Sequence, residues 1–207
     1  MSKTATITLA VLAGLVLLVG GTCASTYNQL VALQQEVEAQ WAQVENVYQR
    51  RLDLVPNLVE TVKGAAAFEK ETFTAVAEAR TRVSQVAQDA APKGARDAAA
   101  LERYQQAQEQ LGGALSRLLV VVERYPELRA TQAFRDLQAQ LEGTENRIAI
   151  ERMRFNEAAQ RFNTRRQSFP TNLIAGLFGD RFGVRPYFRA APGSERAPEV
   201  RFGGKGA

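Results

Sequence analysis

Apolar residues recur at steps of three and four along most of the 207-residue chain. A first run holds Leu30, Leu33, Val37, Trp41, Val44 and Tyr48, with Val31 beside Leu33 and Gln, Glu and Asn on the opposite face. A second uses Val55, Leu58, Val59, Val62, Ala65, Ala66, Phe73, Val76, Ala79, Val83 and Val86. A third has Leu101, Tyr104, Ala107, Leu111, Leu115, Leu118, Val122 and Tyr125, and a fourth Phe134, Leu137, Leu141, Ile148, Phe155, Ala159 and Phe162. Each is an amphipathic stripe of helical period, and nowhere does the strict alternation of a strand persist. Pro92 and Gly94 in "DAAPKGARD" (89–97) separate runs two and three; "RYPELRATQ" (124–132) separates three and four, with Thr131 placed to cap the fourth. Long amphipathic helices joined by short loops pack antiparallel. The pattern therefore predicts an all-α, up-and-down bundle of three or four long helices over residues 26–170. Gly112-Gly113 inside the third run costs about 1 kcal/mol per glycine relative to alanine and points to a close approach between helices.

Two ends depart from this pattern. Residues 4–25, "TATITLAVLAGLVLLVGGTCAS", carry no charge. As a helix they would measure roughly 33 Å, the hydrocarbon thickness of a bilayer. The favoured reading makes residues 1–25 a retained transmembrane anchor, because the amphipathic pattern starts at Tyr27 with no linker. A cleaved signal segment ending near Thr22-Cys23-Ala24, or a lipidated Cys23, are the alternatives. Lys3 lies before the segment, whereas Glu36, Glu38 and Glu45 precede the first later basic residue, Arg50. The positive-inside rule then puts the N-terminus in the cytoplasm and the body outside it. Residues 171–207 are rich in Gly, Pro and Arg without periodicity. They predict a flexible basic tail anchored at its start by Leu173, Ile174, Leu177 and Phe178.

Charge and chemistry narrow the field further. The net charge is +4, but Lys3 and the tail, with six basic and three acidic residues, hold the excess; what remains has 19 of each sign. A neutral body argues against a nucleic-acid-binding core. The chain has no His and one Cys, which removes His-dependent zinc sites, Ser-His-Asp and Cys-His nucleophiles and an internal disulfide. Neither a cofactor nor a catalytic or metal-ligating residue is read from the sequence. A carboxylate-only or carboxylate–metal enzyme is the residual alternative.

One stretch stands apart. "RRLDLVPNLVETVKG" (50–64) sets Pro56 within an apolar stripe and adds Arg50, Arg51, Asp53, Asn57, Glu60 and Lys63. Either one helix kinks at Pro56, or the chain reverses there with the proline in a new first turn. These seven residues form a candidate hinge or interaction surface; Asn57, Glu60 and Lys63 fall at three-residue steps along one face. In the fourth run, Glu145, Asn146, Arg147, Arg152 and Asn156 interrupt the apolar stripe and form a candidate structural polar network. Trp41 and Tyr48 lie on the stripe and read as core.

The segments "YNQLVALQQEVEAQWAQVENVYQRRLDLVPNLVETVKGAAAFEKET" (27–72), "RYPELRATQAFRDLQAQLEGTENRIAIERMRFNEAAQRFN" (124–163) and "FPTNLIA" (169–175) resemble the bacterial LemA family, over about residues 7–178. The chain has Ala67-Phe68 where family members often carry a His. The resemblance implies a membrane-anchored, mostly helical bundle protein of the bacterial envelope and defines no activity. With no catalytic signature in the chain, the expected role is a single-pass inner-membrane scaffold or interaction module. The expected partners are the lipid bilayer, further copies of the chain, since the long stripes suit packing with further helices, and other envelope proteins. Relatives among magnetosome-membrane proteins imply an alternative role in organising or remodelling membranes.

Overall fold

Pro56 does not interrupt the first helix. In the computed structural model, which describes residues 3–64 and 69–190, α1 runs unbroken from Lys3 to Lys63 with the proline inside it. Proline lacks the amide that would bond the Leu52 carbonyl one turn earlier. A side chain of the next helix takes that place: Arg80 Nε donates to the Leu52 oxygen at 3.4 Å. Pro56 is exposed, while Val55 and Leu58 beside it are buried. The chain does not reverse there.

The break comes instead at Gly64, and α2 spans Lys70–Gly94. The second apolar run is thus divided between two helices. Lys63 in a last turn followed by Gly64 is a helix-stop signal, but the apolar spacing through Ala65 and Ala66 carries the pattern past it. Residues 65–68 themselves lie outside the described residues. Then follow α3 (Ala98–Val122), a single-turn α4 (Pro126–Arg129) and α5 (Gln132–Gln167). Asp97 caps α3 by accepting from the Ala99 and Ala100 amides, and Thr131 caps α5 by accepting from Phe134 N. No strand occurs among the described residues.

Side-chain contacts fix the topology as up-down-up-down. Arg165 donates to Gln29, and Arg161 and Arg51 pair with Glu36 and Glu145, so α1 and α5 run antiparallel. Arg82 donates to Gln110 between α2 and α3, also antiparallel. α1 packs chiefly on α5 and α2 on α3, and the two pairs close around one core. α1 supplies Leu30, Val37, Val44, Tyr48, Val55 and Val62; α3 adds Leu111 and Leu118, and α5 adds Phe134, Phe155 and Phe162. Burying each such side chain contributes about 1.5–3 kcal/mol. At the centre Trp41 meets the rings of Tyr104, Phe155 and Phe188 at centroid distances of 5.9, 5.6 and 6.0 Å.

Below the bundle, α1 continues alone. Ile7, Leu12, Leu15, Val16 and Leu18 are exposed, and none of the most apolar 18-residue window is buried. This helix is long and apolar enough to cross a membrane.

The expected tail does not begin at 171. α6 (Thr171–Leu177) and a 3-10 turn (Gly179–Phe182) lead into an extended segment, 183–190, that climbs back along α5. Ile174, Phe182, Arg185 and Phe188 are buried. These side chains show no period in sequence because an extended chain, held by single contacts, imposes none. Residues 191–207 lie outside the described residues.

Candidate functional site

Arg51 points into the bundle. Its side chain starts from α1, one residue from the exposed Arg50, and it is only 6% exposed. The guanidinium Nε lies 2.8 Å from a Glu145 carboxylate oxygen on α5, and Nη1 donates to the Gln108 backbone oxygen on α3 at 3.3 Å. Three helices therefore meet on one planar cation. A Cβ added at Gly112 would lie 2.7 Å from Arg51 Nη2, so the glycine makes room for the guanidinium. The close approach expected at Gly112-Gly113 is that of a side chain, and Gly113 has open space around it. Burial pulls Arg51 below the usual arginine value while Glu145 opposes it, and the group stays charged.

A cleft of about 140 Å³ opens beside this arginine, with Tyr48, Gln108, Glu109, Glu145 and Arg152 on its walls. It is below the roughly 300 Å³ at which small-molecule sites begin, and its two arginines are matched by two glutamates. Burial pushes the phenols of Tyr48 and Tyr104 up; they stay neutral, and their rings meet edge to face at 5.3 Å.

The second constellation clamps the extended segment. Asn163 Nδ2 donates to the Arg185 carbonyl at 2.9 Å, and Arg185 N donates back to Asn163 Oδ1 at 2.8 Å. Asn156 repeats the exchange with Phe188, at 3.0 and 2.8 Å, and Gln105 on α3 does so with Arg189. Each amide side chain stands in for one residue of a neighbouring strand. The spacing explains why it works: seven helical residues rise about 10.5 Å, and three extended residues rise about 10 Å. The arginines lock it laterally. Arg152 lies 4.7 Å over the Phe188 ring and donates to the Arg189 carbonyl, and Arg185 lies 4.8 Å over Phe162. Burial, with Arg96 nearby, lowers Arg185 from its ordinary value against the pull of Glu38.

The two sequence-marked sets are thus divided differently from their order in the chain. Arg51 and Glu145 come together; Arg152 and Asn156 hold the extended segment; Asn146 and Arg147 are exposed. Arg50, Asp53, Pro56, Asn57, Glu60 and Lys63 face solvent, with Gln49 donating to Asp53 and Lys63 at 3.6 Å from Glu60. Gln105, Gln108, Asn163 and Arg185 escaped the sequence reading. A signal existed for one of them: Phe155-Asn156 recurs as Phe162-Asn163 one heptad later.

The molecule is a four-helix bundle carried on an apolar helical stem and closed by an amide-clamped C-terminal segment. The chain belongs to the LemA family, whose model matches residues 40–202. Among curated proteins it is similar to the magnetosome proteins MamQ 1 and MamQ 2 of Paramagnetospirillum magneticum, each 28% identical over 188 residues, covering 82% of this chain and 66% of theirs. It is also similar to protein LemA of Metamycoplasma hominis, 23% identical over 72% of this chain and 63% of that protein. The chain thus spans about two thirds of the length of the curated relatives it matches. It is a membrane-associated helical protein of this family.

Proposed function

We propose that this protein is a non-enzymatic, single-pass scaffold that displays a helical bundle on the outer side of the bacterial inner membrane. The observation that carries the reading is the continuity of α1, in which the uncharged stem and the first bundle helix are one unbroken element, Lys3–Lys63. A helix without a hinge transmits orientation, so the bundle would stand off the bilayer in one fixed attitude. The exposed row of Asn57, Glu60 and Lys63 near the far end of α1 then becomes a surface for a protein partner. Arg51, engaged by Glu145 and Gln108, serves folding rather than docking.

The test is affinity capture of the full-length protein from membranes, compared with an Asn57→Ala/Glu60→Ala/Lys63→Ala variant, together with native mass measurement in nanodiscs. The expected outcome is an oligomer or a specific partner that the variant loses. A monomer with the same empty capture in both forms would overturn the scaffold reading. A second reading, in which many copies organise the membrane itself, draws on the similarity to magnetosome proteins; it predicts a change in vesicle shape on reconstitution.

A further inference from the structure

We propose that α6 is a membrane foot: a second, interfacial contact by which the bundle rests on the bilayer beside its own stem. The inference rests on residues 4–25 being the spanning segment. Counting a hydrocarbon core of about 30 Å from Thr4 at 1.5 Å per residue places its far boundary near Cys23 and Ala24. α6 packs against that level. Its inner side, Thr171, Ile174 and Ala175, is buried on the bundle. The other side and both flanks are mostly apolar and bare: Leu173 and Leu177, the latter 81% exposed, share it with Asn172, and the flanking Phe169 (79%) and Phe178 are exposed too.

Three further features fit a lipid surface better than water or a protein partner. An apolar crevice of about 330 Å³ separates α6 from the stem, between Cys23, Ala24 and Tyr27 on one wall and Ile174, Leu177 and Phe178 on the other. The half-exposed Tyr27 and the exposed Phe178 have ring centroids 4.9 Å apart and meet the buried Phe182 edge to face, which puts a tyrosine and a phenylalanine at the depth between acyl chains and headgroups. Residues 165–182 carry Arg165, Arg166 and Arg181 against Asp180 alone, a positive rim beside the apolar surface. Apolar side chains below and arginines above match acyl chains below and phosphates above. The crevice would accept the chain of a lipid packed against the stem.

The experiment uses full-length protein in a Cys23→Ser background, reconstituted into phosphatidylcholine/phosphatidylglycerol vesicles. An NBD fluorophore is placed in turn on Leu15→Cys in the stem, Leu173→Cys and Leu177→Cys on α6, and Val120→Cys at the far end of α3, with quenching by doxyl-labelled lipids. The expected result is that both α6 labels lose most of their emission to shallow doxyl groups and the Leu15 label loses its emission to deep ones. The Val120 label is untouched. α6 labels that behave like Val120 while Leu15 is quenched overturn the foot and leave the anchor standing. α6 labels that are blue-shifted but unquenched mark a protein neighbour, which also overturns it. An unquenched Leu15 label removes the anchor and the foot together.

Discussion

Two glycines on neighbouring helices do the same steric job for opposite chemistry. At Gly94 a Cβ would lie 2.3 Å from the Trp41 indole; at Gly112 it would lie 2.7 Å from the Arg51 guanidinium. In both places a large side chain from α1 needs a helix surface with nothing on it. The apolar site is closed chiefly by packing, with three further rings around the indole and Glu45 on its N–H. The charged site must also repay desolvation, which is why a carboxylate from α5 and a backbone oxygen from α3 converge on it. Ring packing fills one part of the core, and at the other a single cation ties α1, α3 and α5 together.

The largest break in the comparison is Trp41→Ala, which leaves a void facing Gly94 and three rings. It should cost about 3–5 kcal/mol in chemical denaturation. Gly94→Ala drives a Cβ into a rigid indole and should cost about 1–3 kcal/mol, read the same way. At the charged site the partner matters more than the arginine. Glu145→Gln should cost about 1–2 kcal/mol, the usual buried-charge penalty discounted because the glutamate side chain is 44% exposed. Arg51→Met should cost less, about 1 kcal/mol, because the Glu145 it leaves behind is 44% exposed and can be hydrated, whereas Glu145→Gln strands a buried guanidinium. Gly112→Ala sharpens the point. Alone it trades about 1 kcal/mol of helix propensity against a displaced guanidinium, whereas in the Arg51→Met background the propensity gain should appear undiminished.

The smallest effect is a pH dependence beside the apolar site. Burial raises the Glu45 carboxyl above the ordinary 4.5, although the Trp41 indole bond to it pulls the other way. A raised folded value means that protonation favours folding: the contribution is present below the unfolded value and disappears as pH rises through the folded one. Glu45→Gln should therefore melt higher than the parent at neutral pH, with the difference closing as the buffer is brought to pH about 4. A difference that widens in acid would place Glu45 in a favourable pair instead. Glu38 behaves oppositely. Burial raises it, but bonds from Arg96 and Gln34 and the charges of Arg96 and Arg185 prevail and lower it, so its contribution is lost as acid is added.

Much of the fold was legible in the order of the residues. The helical period of the apolar residues defined an all-α bundle, Thr131 marked the start of α5, and the uncharged residues 4–25 marked the stem. Such features depend on neighbours three or four residues apart, which share a helix face in any context. The stop at Gly64 and the packed segment 171–190 were not legible, for the converse reason. An apolar period that runs through a break hides it, and an extended chain clamped by distant amides leaves no period to see. Nor could the sequence say that Arg51 points inward while Arg50 points out, or that its counter-ion is Glu145. Those facts are decided where α1, α3 and α5 cross, because a buried charge is tolerated only where separate helices bring it a carboxylate, a carbonyl and the space of a missing side chain.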